Sequence, residues 1–342
     1  MLKFLILFSK RNFLPDERGM HMSNAAALHT ITKKTPWERF KKWLRILWQQ
    51  RALIALCLIP LAVVILFQYV PMYGVLIAFK KYKPKKGVWG SAWLDPWYKN
   101  FQEFFNNVNC GHIITQTVKV GVLSLIFTYP MPIILALMLN EVRSKWFKRS
   151  VQTISYLPHF ISIVVICSML NTFGSLDGLF NNIRAVFGLA RINMNAGTAS
   201  FMPMFIGSAI WQGVGWGSII YLSALSNVDT SLYDVANIDG ANRFQKIRHI
   251  CLPAILPTTT VVLILNTGNI FTQDYTKILL MMNETNRMDL EVISTYVYRM
   301  GIQDGRFEFA TAVNLFVSVV SLILVVGTNY VVRFIDPEQS IW

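Results

Sequence analysis

Six apolar runs constrain this chain more than any other feature, near 52–79, 113–139, 151–173, 203–226, 258–282 and 309–332. Each is long enough to cross a hydrocarbon core of about 30 Å, which takes roughly 20 residues of helix. Lipid offers no water to the backbone, so each run must satisfy its own N–H and C=O groups as a helix. The expected fold class is an all-α polytopic membrane protein with six transmembrane helices. Composition agrees, with 54% of the 342 residues apolar and 15% charged, whereas soluble domains carry about a quarter charged residues. Pro60, Pro130, Pro132 and Pro158 fall inside or at the ends of these runs, where kinks are tolerable. Gly213, Gly215, Gly217 and Ser218 in the fourth run predict close helix packing.

A net charge of +14 could suggest nucleic acid, but the lysines and arginines stand beside the apolar runs, which is a topology pattern. With the amino terminus inside, 19 of them fall on the cytoplasmic side and 11 outside. The run Lys80–Lys86 opposes this count, while Arg143, Lys145, Lys148 and Arg149 in the short second connection support it. Both termini are therefore expected in the cytoplasm. The expected organisation is a basic amino-terminal segment (1–51), a transmembrane domain (52–335) holding a polar insert (227–257), and a cytoplasmic tail (336–342).

Leu2–Phe8 is too short to span a bilayer and no small-residue cleavage site follows, which argues against a signal peptide; Met20 and Met22 are alternative starts. Between Trp37 and Arg51, aromatic and basic residues interleave, as in a helix lying on an anionic membrane surface or a solvated charged face. Cys57, Cys110, Cys167 and Cys251 show no CxxC or CxxH spacing, so no metal site or disulfide framework is expected.

The insert reads as two short helices joined at a glycine. Ser231 is the expected cap of the first, with Asp234 in its first turn. Gly240 ends that helix. The second is expected to carry Phe244, Ile247 and Cys251 on one stripe, with Leu252-Pro253 and Pro257 stopping it. Small residues at 236, 240 and 241 would let another protein approach closely.

The pattern Asp234-Val235-Ala236, Gly240-Ala241, Ile250, Leu252-Pro253 resembles the EAA signature of permease subunits of binding-protein-dependent ABC importers. Tyr69–Gly74, Leu139–Arg143, Gln152–Phe160, Trp211–Ser218 and Ile293–Arg299 resemble the oligosaccharide permeases of that family, in the polygalacturonan and lipoprotein-linked group. Asp234 and Val235 depart mildly from the usual Glu and Ala, and Gln116-Thr117 stands where relatives have Asn-Thr. The resemblance implies the type I importer permease fold, a coupling helix between the fourth and fifth spans, and Asp234, Ala236, Gly240, Ala241, Leu252 and Pro253 as the residues facing an ATPase. It further implies a second homologous permease subunit forming a heterodimer, two ATPase subunits and an extracellular solute-binding protein. The chain has no GxxxxGK[ST] pattern, so ATP and magnesium would be bound by partner subunits and no cofactor by this one.

Polar residues within spans are expected to face a cavity or a partner. Gln212, Trp216, Asn266, Asn269, Gln273, Asp274 and Asn314 are the substrate-path candidates, although helix-to-helix hydrogen bonding explains any one of them. Lys277, three residues after Asp274, is expected to form an ion pair with it. His112, His159 and His249 are scattered, and no Ser/His/Asp, HExxH or paired-carboxylate site emerges for an enzyme. A proton-coupled secondary transporter would want paired intramembrane acids and repeated spans, neither of which is visible. An importer of amino acids, peptides or metals remains open at this point.

Overall fold

The computed structural model describes residues 37, 45, 48–337, 340 and 341. The chain divides into two compact units, Met1–Pro71 and Met72–Trp342. Most of the 37–51 segment lies outside the described residues; within it, the Arg51 guanidinium sits 5.2 Å from the centre of the Trp48 ring. In the first unit α1 (Arg51–Val64) carries Pro60 without breaking, and none of its residues is buried. A π turn (Ile65–Tyr69) and a 3-10 run (Val70–Phe79) continue it.

The second unit is helical throughout its core. Among the described residues, its elements include α2 (Lys99–Phe105), α3 (Cys110–Thr128), α4 (Pro130–Glu141), α5 (Lys145–Tyr156), α6 (Ile163–Phe173) and α7 (Leu179–Val186). They continue as α8 (Thr198–Ser226), α9 (Thr230–Ile238), α10 (Arg243–Lys246), α11 (Leu252–Gly268), α12 (Tyr275–Met281), α13 (Ile293–Tyr298) and α14 (Phe307–Ile335). Four continuous helical stretches, Arg51–Phe79, Cys110–Glu141, Arg243–Gly268 and Phe307–Ile335, are long and apolar enough to cross a membrane. A fifth arises if Lys145–Phe160 and Ile163–Phe173 count as one span bent by 95°. At 29 residues α8 has the length of a span, with glycines, serines and Gln212 diluting its apolar character.

Two expected boundaries change. The third run is not one straight helix, because Pro158 sits in a 3-10 turn (Leu157–Phe160) and the chain then turns sharply at Ile161 and Ser162. The fifth run, placed at 258–282, is broken. Its helix begins back at Arg243, ends at Gly268, and leaves residues 269–274 outside helix before α12. Pro257 lies inside α11 rather than stopping anything. Pro253 occupies the first turn of α11, where its missing N–H costs least, and the π turn Ile247–Cys251 widens the backbone just before it.

Three apolar layers follow one another along α3 and α4. Ile113 packs with Phe104, Tyr296 and Phe309, and Val120 with Cys167, Phe205 and Ile278. Leu139 packs with Tyr221, Leu225 and Ile255. Two of the glycines read as packing residues do this work. A Cβ on Gly215 would lie 2.1 Å from the Ser155 carbonyl oxygen, and one on Gly217 would lie 2.9 Å from Pro132. Around Gly213 there is open space, so that position needs no glycine for packing. Gly121 is a contact that composition did not single out: a Cβ there would stand 2.2 Å from the Ile270 oxygen. The unwound segment thus lies directly on α3.

Candidate functional site

The insert closes its helix ends with its own residues. Asp229, not Ser231, caps α9 by accepting from the Ser231 N–H at 2.9 Å. That backbone bond is the main reason the Asp229 carboxyl is held below its usual range. Asp234 consequently falls beyond the first turn, exposed and without an ion pair among the described residues. At the other end Gly240 has φ +73, a left-handed geometry open to glycine at little cost. It lets the Ala241 N–H reach the Ala236 carbonyl at 2.8 Å and the Gly240 N–H reach Asn237 at 3.2 Å, a Schellman closure. Three of the residues assigned to coupling, Ala236, Gly240 and Ala241, are therefore one hydrogen-bonded turn.

Two residues later a capping box forms. Asn242 Oδ1 accepts from the Gln245 N–H at 2.9 Å, and Gln245 Oε1 accepts from the Asn242 N–H at 2.7 Å. The Asn-x-x-Gln spacing is a legible helix-start signal that the sequence reading passed over. Lys246 Nζ donates to Asn237 Oδ1 across the bend. The expected stripe is only partly present: Cys251 is buried, Ile247 half-buried, and Phe244 exposed. Leu232, Val235 and Ile238 are exposed as well, so α9 and α10 together leave an apolar surface uncovered. Leu252 is exposed and its N–H bonds back to Ile247 across the π turn.

One contact roots this insert in the helical body. The Tyr233 hydroxyl lies 3.3 Å from Cys251 Sγ, and Asn140 at the end of α4 donates to the hydroxyl at 3.5 Å and to the sulfur at 3.8 Å. Burial, followed by the Cys251 hydrogen bond, pushes the Tyr233 hydroxyl up to about 12. The sequence placed Cys251 only on an apolar stripe, and nothing local links positions 140, 233 and 251.

The substrate-path candidates divide into groups rather than forming one cluster. Gln212 donates to the Ile161 carbonyl at 3.1 Å, satisfying the backbone at the sharp bend. Trp216, one turn along α8, is 47% exposed. It stacks flat on His159, with centroids 4.6 Å apart and planes within 1°, while Phe160 meets it edge-on at 5.8 Å. His159 was set aside in the sequence because no catalytic partner accompanied it; its ring belongs instead to a three-ring platform at the bend. Asn269, Gln273 and Asp274 all lie in the unwound segment. Gln273 donates to the Asn269 carbonyl at 3.0 Å, and Asp274 caps α12 by accepting from Thr276 N–H at 2.9 Å. Asn266 bonds within its own helix, to the Val262 carbonyl, and Asn314 is exposed on α14.

The expected Asp274–Lys277 ion pair does not form. Asp274 spends its carboxylate on the cap, and Lys277 points into the core, donating to the Phe205 carbonyl at 2.8 Å with its ammonium 4.5 Å from the centre of that ring. Among the described residues, no group of three His, Cys, Asp or Glu side chains could hold a metal ion.

Comparison with known proteins matches residues 128–340 to the family described as "Binding-protein-dependent transport system inner membrane component". Protein LplB of Bacillus subtilis is 39% identical over 86% of this chain and 93% of its own length. The polygalacturonan/rhamnogalacturonan transport system permease protein YteP of the same species is 39% identical, over 88% of this chain and 94% of its own. Among solved structures, a chain of a bacterial ABC transporter involved in importing the acidic polysaccharide alginate superposes with a TM-score of 0.78 and 38% identity, covering 86% of this chain and 99% of that one. The same kind of transporter, solved in complex with its alginate pentasaccharide-bound periplasmic protein, gives 0.77 and 38%. This chain belongs to the family of inner-membrane components of binding-protein-dependent transport systems.

Proposed function

We propose that this chain is the permease subunit of an ATP-driven importer that takes up an oligosaccharide delivered by an extracellular solute-binding protein. The observation that carries the reading is the insert: two short helices with locally closed ends, an uncovered apolar surface, and a root at Asn140 and Cys251. A surface of that kind fits a soluble partner, and membership in this family supports an ATPase as that partner. The sugar class rests on the relatives, YteP and the alginate transporter, whose names and titles give polygalacturonan, rhamnogalacturonan and alginate.

In this mechanism Ala236, Gly240 and Ala241 hold the bend, while Asp234 and the apolar residues around it meet the ATPase. Leu252 and Pro253 carry the displacement into α11, and the Tyr233 contact carries it into α4. Both termini and the insert lie in the cytoplasm, beside two ATPase subunits that bind the ATP and magnesium. A second, homologous permease completes the pore as a heterodimer. Sugar passes near the two helix breaks, where Trp216, Gln212, Asn269, Gln273 and Asp274 offer ring faces and amides among otherwise apolar helices. Asn266 on α11 and Asn314 on α14 complete the set.

The test is uptake of labelled oligosaccharide into vesicles holding all subunits, with ATP inside. Gly240→Glu is expected to leave ATP hydrolysis uncoupled from uptake or to prevent ATPase binding. Normal ATP-driven uptake in that variant would remove the coupling role, and uptake driven by a proton gradient without any ATPase would remove the importer reading.

A further inference from the structure

The segment from Lys80 to Tyr98 is a folded platform rather than a passive connection. Lys81 N–H bonds to the Ala92 carbonyl at 2.8 Å and Leu94 N–H to the Phe79 carbonyl at 2.9 Å, pairing the two arms of the loop. Ser91 Oγ closes its interior by donating to the Gly87 carbonyl and accepting from Lys83 N–H, and buried Asn100 donates to Ala78. Lys80 is the post at its centre. Its side chain is only 4% exposed, it donates to the Val88 carbonyl at 2.8 Å, and its ammonium lies 4.8 Å from the Trp93 ring centre and 5.9 Å from that of Trp89.

That device holds large indoles outward. Trp89 is 78% exposed, Trp93 61% and Trp97 61%, although Tyr73 stacks on Trp89, Trp97 packs on Phe79 and Tyr98, and the Lys80 ammonium lies against Trp93. Around them Lys81, Lys83, Lys85, Lys86 and Lys99 are exposed against one acid, Asp95. None of these lysines has an ion-pair partner among the described residues. Rigid exposed tryptophans are unfavourable in water but favourable at the boundary between hydrocarbon and headgroups, where an apolar ring body and a polar N–H are both accommodated. The platform begins where the apolar stretch Arg51–Phe79 ends, which is where that boundary must lie if the stretch crosses the membrane.

The geometry points to the 80–98 platform as an anionic-lipid anchor, with its indoles seated at the headgroup level and its lysines on lipid phosphates. This reading goes beyond the transport function and does not depend on which side of the membrane the platform occupies. It also accounts for the lysine run that opposes the charge rule: those charges answer to headgroups rather than to topology.

The complete importer, with all its subunits, is to be placed in nanodiscs of phosphatidylcholine with and without phosphatidylglycerol. Hydrogen–deuterium exchange is then followed in peptides covering 80–98. Phosphatidylglycerol is expected to slow exchange there severalfold, and brominated lipid to quench tryptophan emission in the intact chain more than in a variant with Trp89, Trp93 and Trp97 changed to Phe. In the variant K83Q/K85Q/K86Q the protection by phosphatidylglycerol should be lost, because lysines near the surface carry the attraction to anionic lipid, with exchange elsewhere unchanged as the check on folding. Exchange that ignores phosphatidylglycerol in the unaltered protein overturns the proposal. So does protection that appears only when the solute-binding protein is added, which would make the platform a protein-docking surface.

Discussion

The insert at 229–251 and the helix breaks at 157–162 and 269–274 interrupt helical structure in different ways. In the insert the interruption is closed by near neighbours: Asp229 on Ser231, Ala241 on Ala236, Gln245 on Asn242. At the bend after Phe160 the closing group arrives from another helix, with Gln212 donating to Ile161 across 51 positions of sequence. At the second break Gln273 reaches back to Asn269, but the segment is positioned by the bare backbone of Gly121. A locally closed bend keeps its shape while its apolar side chains stay uncovered, which suits a piece that changes partners. A bend closed from outside depends on helix packing and shifts when the helices shift.

The contrast can be broken at several points. The largest expected effect is from Gly240→Val, because a β-branched residue strongly disfavours the left-handed region and the Schellman closure would be lost. ATP-driven uptake should fall at least about tenfold, while Gly240→Asn, which tolerates that geometry, retains most of it. Equal uptake in both variants would show that the bend is not needed. Gly215→Ala should come next, since its methyl meets the Ser155 carbonyl backbone and overpacking costs about 1–3 kcal/mol; thermal unfolding of the purified complex would report a clear drop, and an unchanged midpoint would refute the contact.

Gln212→Leu leaves the Ile161 oxygen without its donor, at about 1–3 kcal/mol if no water replaces it. The loss should appear in the same melting experiment, and hydrogen exchange should rise around 157–163 while the insert is unaffected. The smallest effect is expected for Tyr233→Phe, which removes only the hydroxyl contacts to Cys251 and Asn140, about 0.5–1.5 kcal/mol. Its mark should be functional: ATP hydrolysis continues while uptake per ATP declines. If uptake per ATP stays constant, the root at Tyr233 is structural and does not transmit movement.

These same two regions show what could be read in advance. The glycine bend was legible because a φ-positive position, small residues and a helix on each side are all encoded within ten residues. Even there, Asp229 displaced Ser231 as the cap, because the helix starts two positions earlier than apolar periodicity suggested. The break in the fifth run was hidden, since 258–282 is apolar enough to read as one span. Its residues Asn269, Gln273 and Asp274 were marked as polar oddities, but the unwinding that gathers them depends on Ile270 meeting Gly121. His159 was discounted for lack of a catalytic partner, and only folding placed it on Trp216.

The sequence by itself determined the class of protein and the position of its polar insert. Both follow from rules with short range: a backbone in lipid must hydrogen-bond within its own helix, and a tight bend needs a residue able to take positive φ. The tertiary structure alone decided where helices bend inside the apolar runs, which side chains repair those bends, and that Lys277 turns from Asp274 to the Phe205 carbonyl. Those outcomes depend on close packing between helices far apart in sequence, where one missing Cβ or one donor on a neighbouring helix settles the geometry.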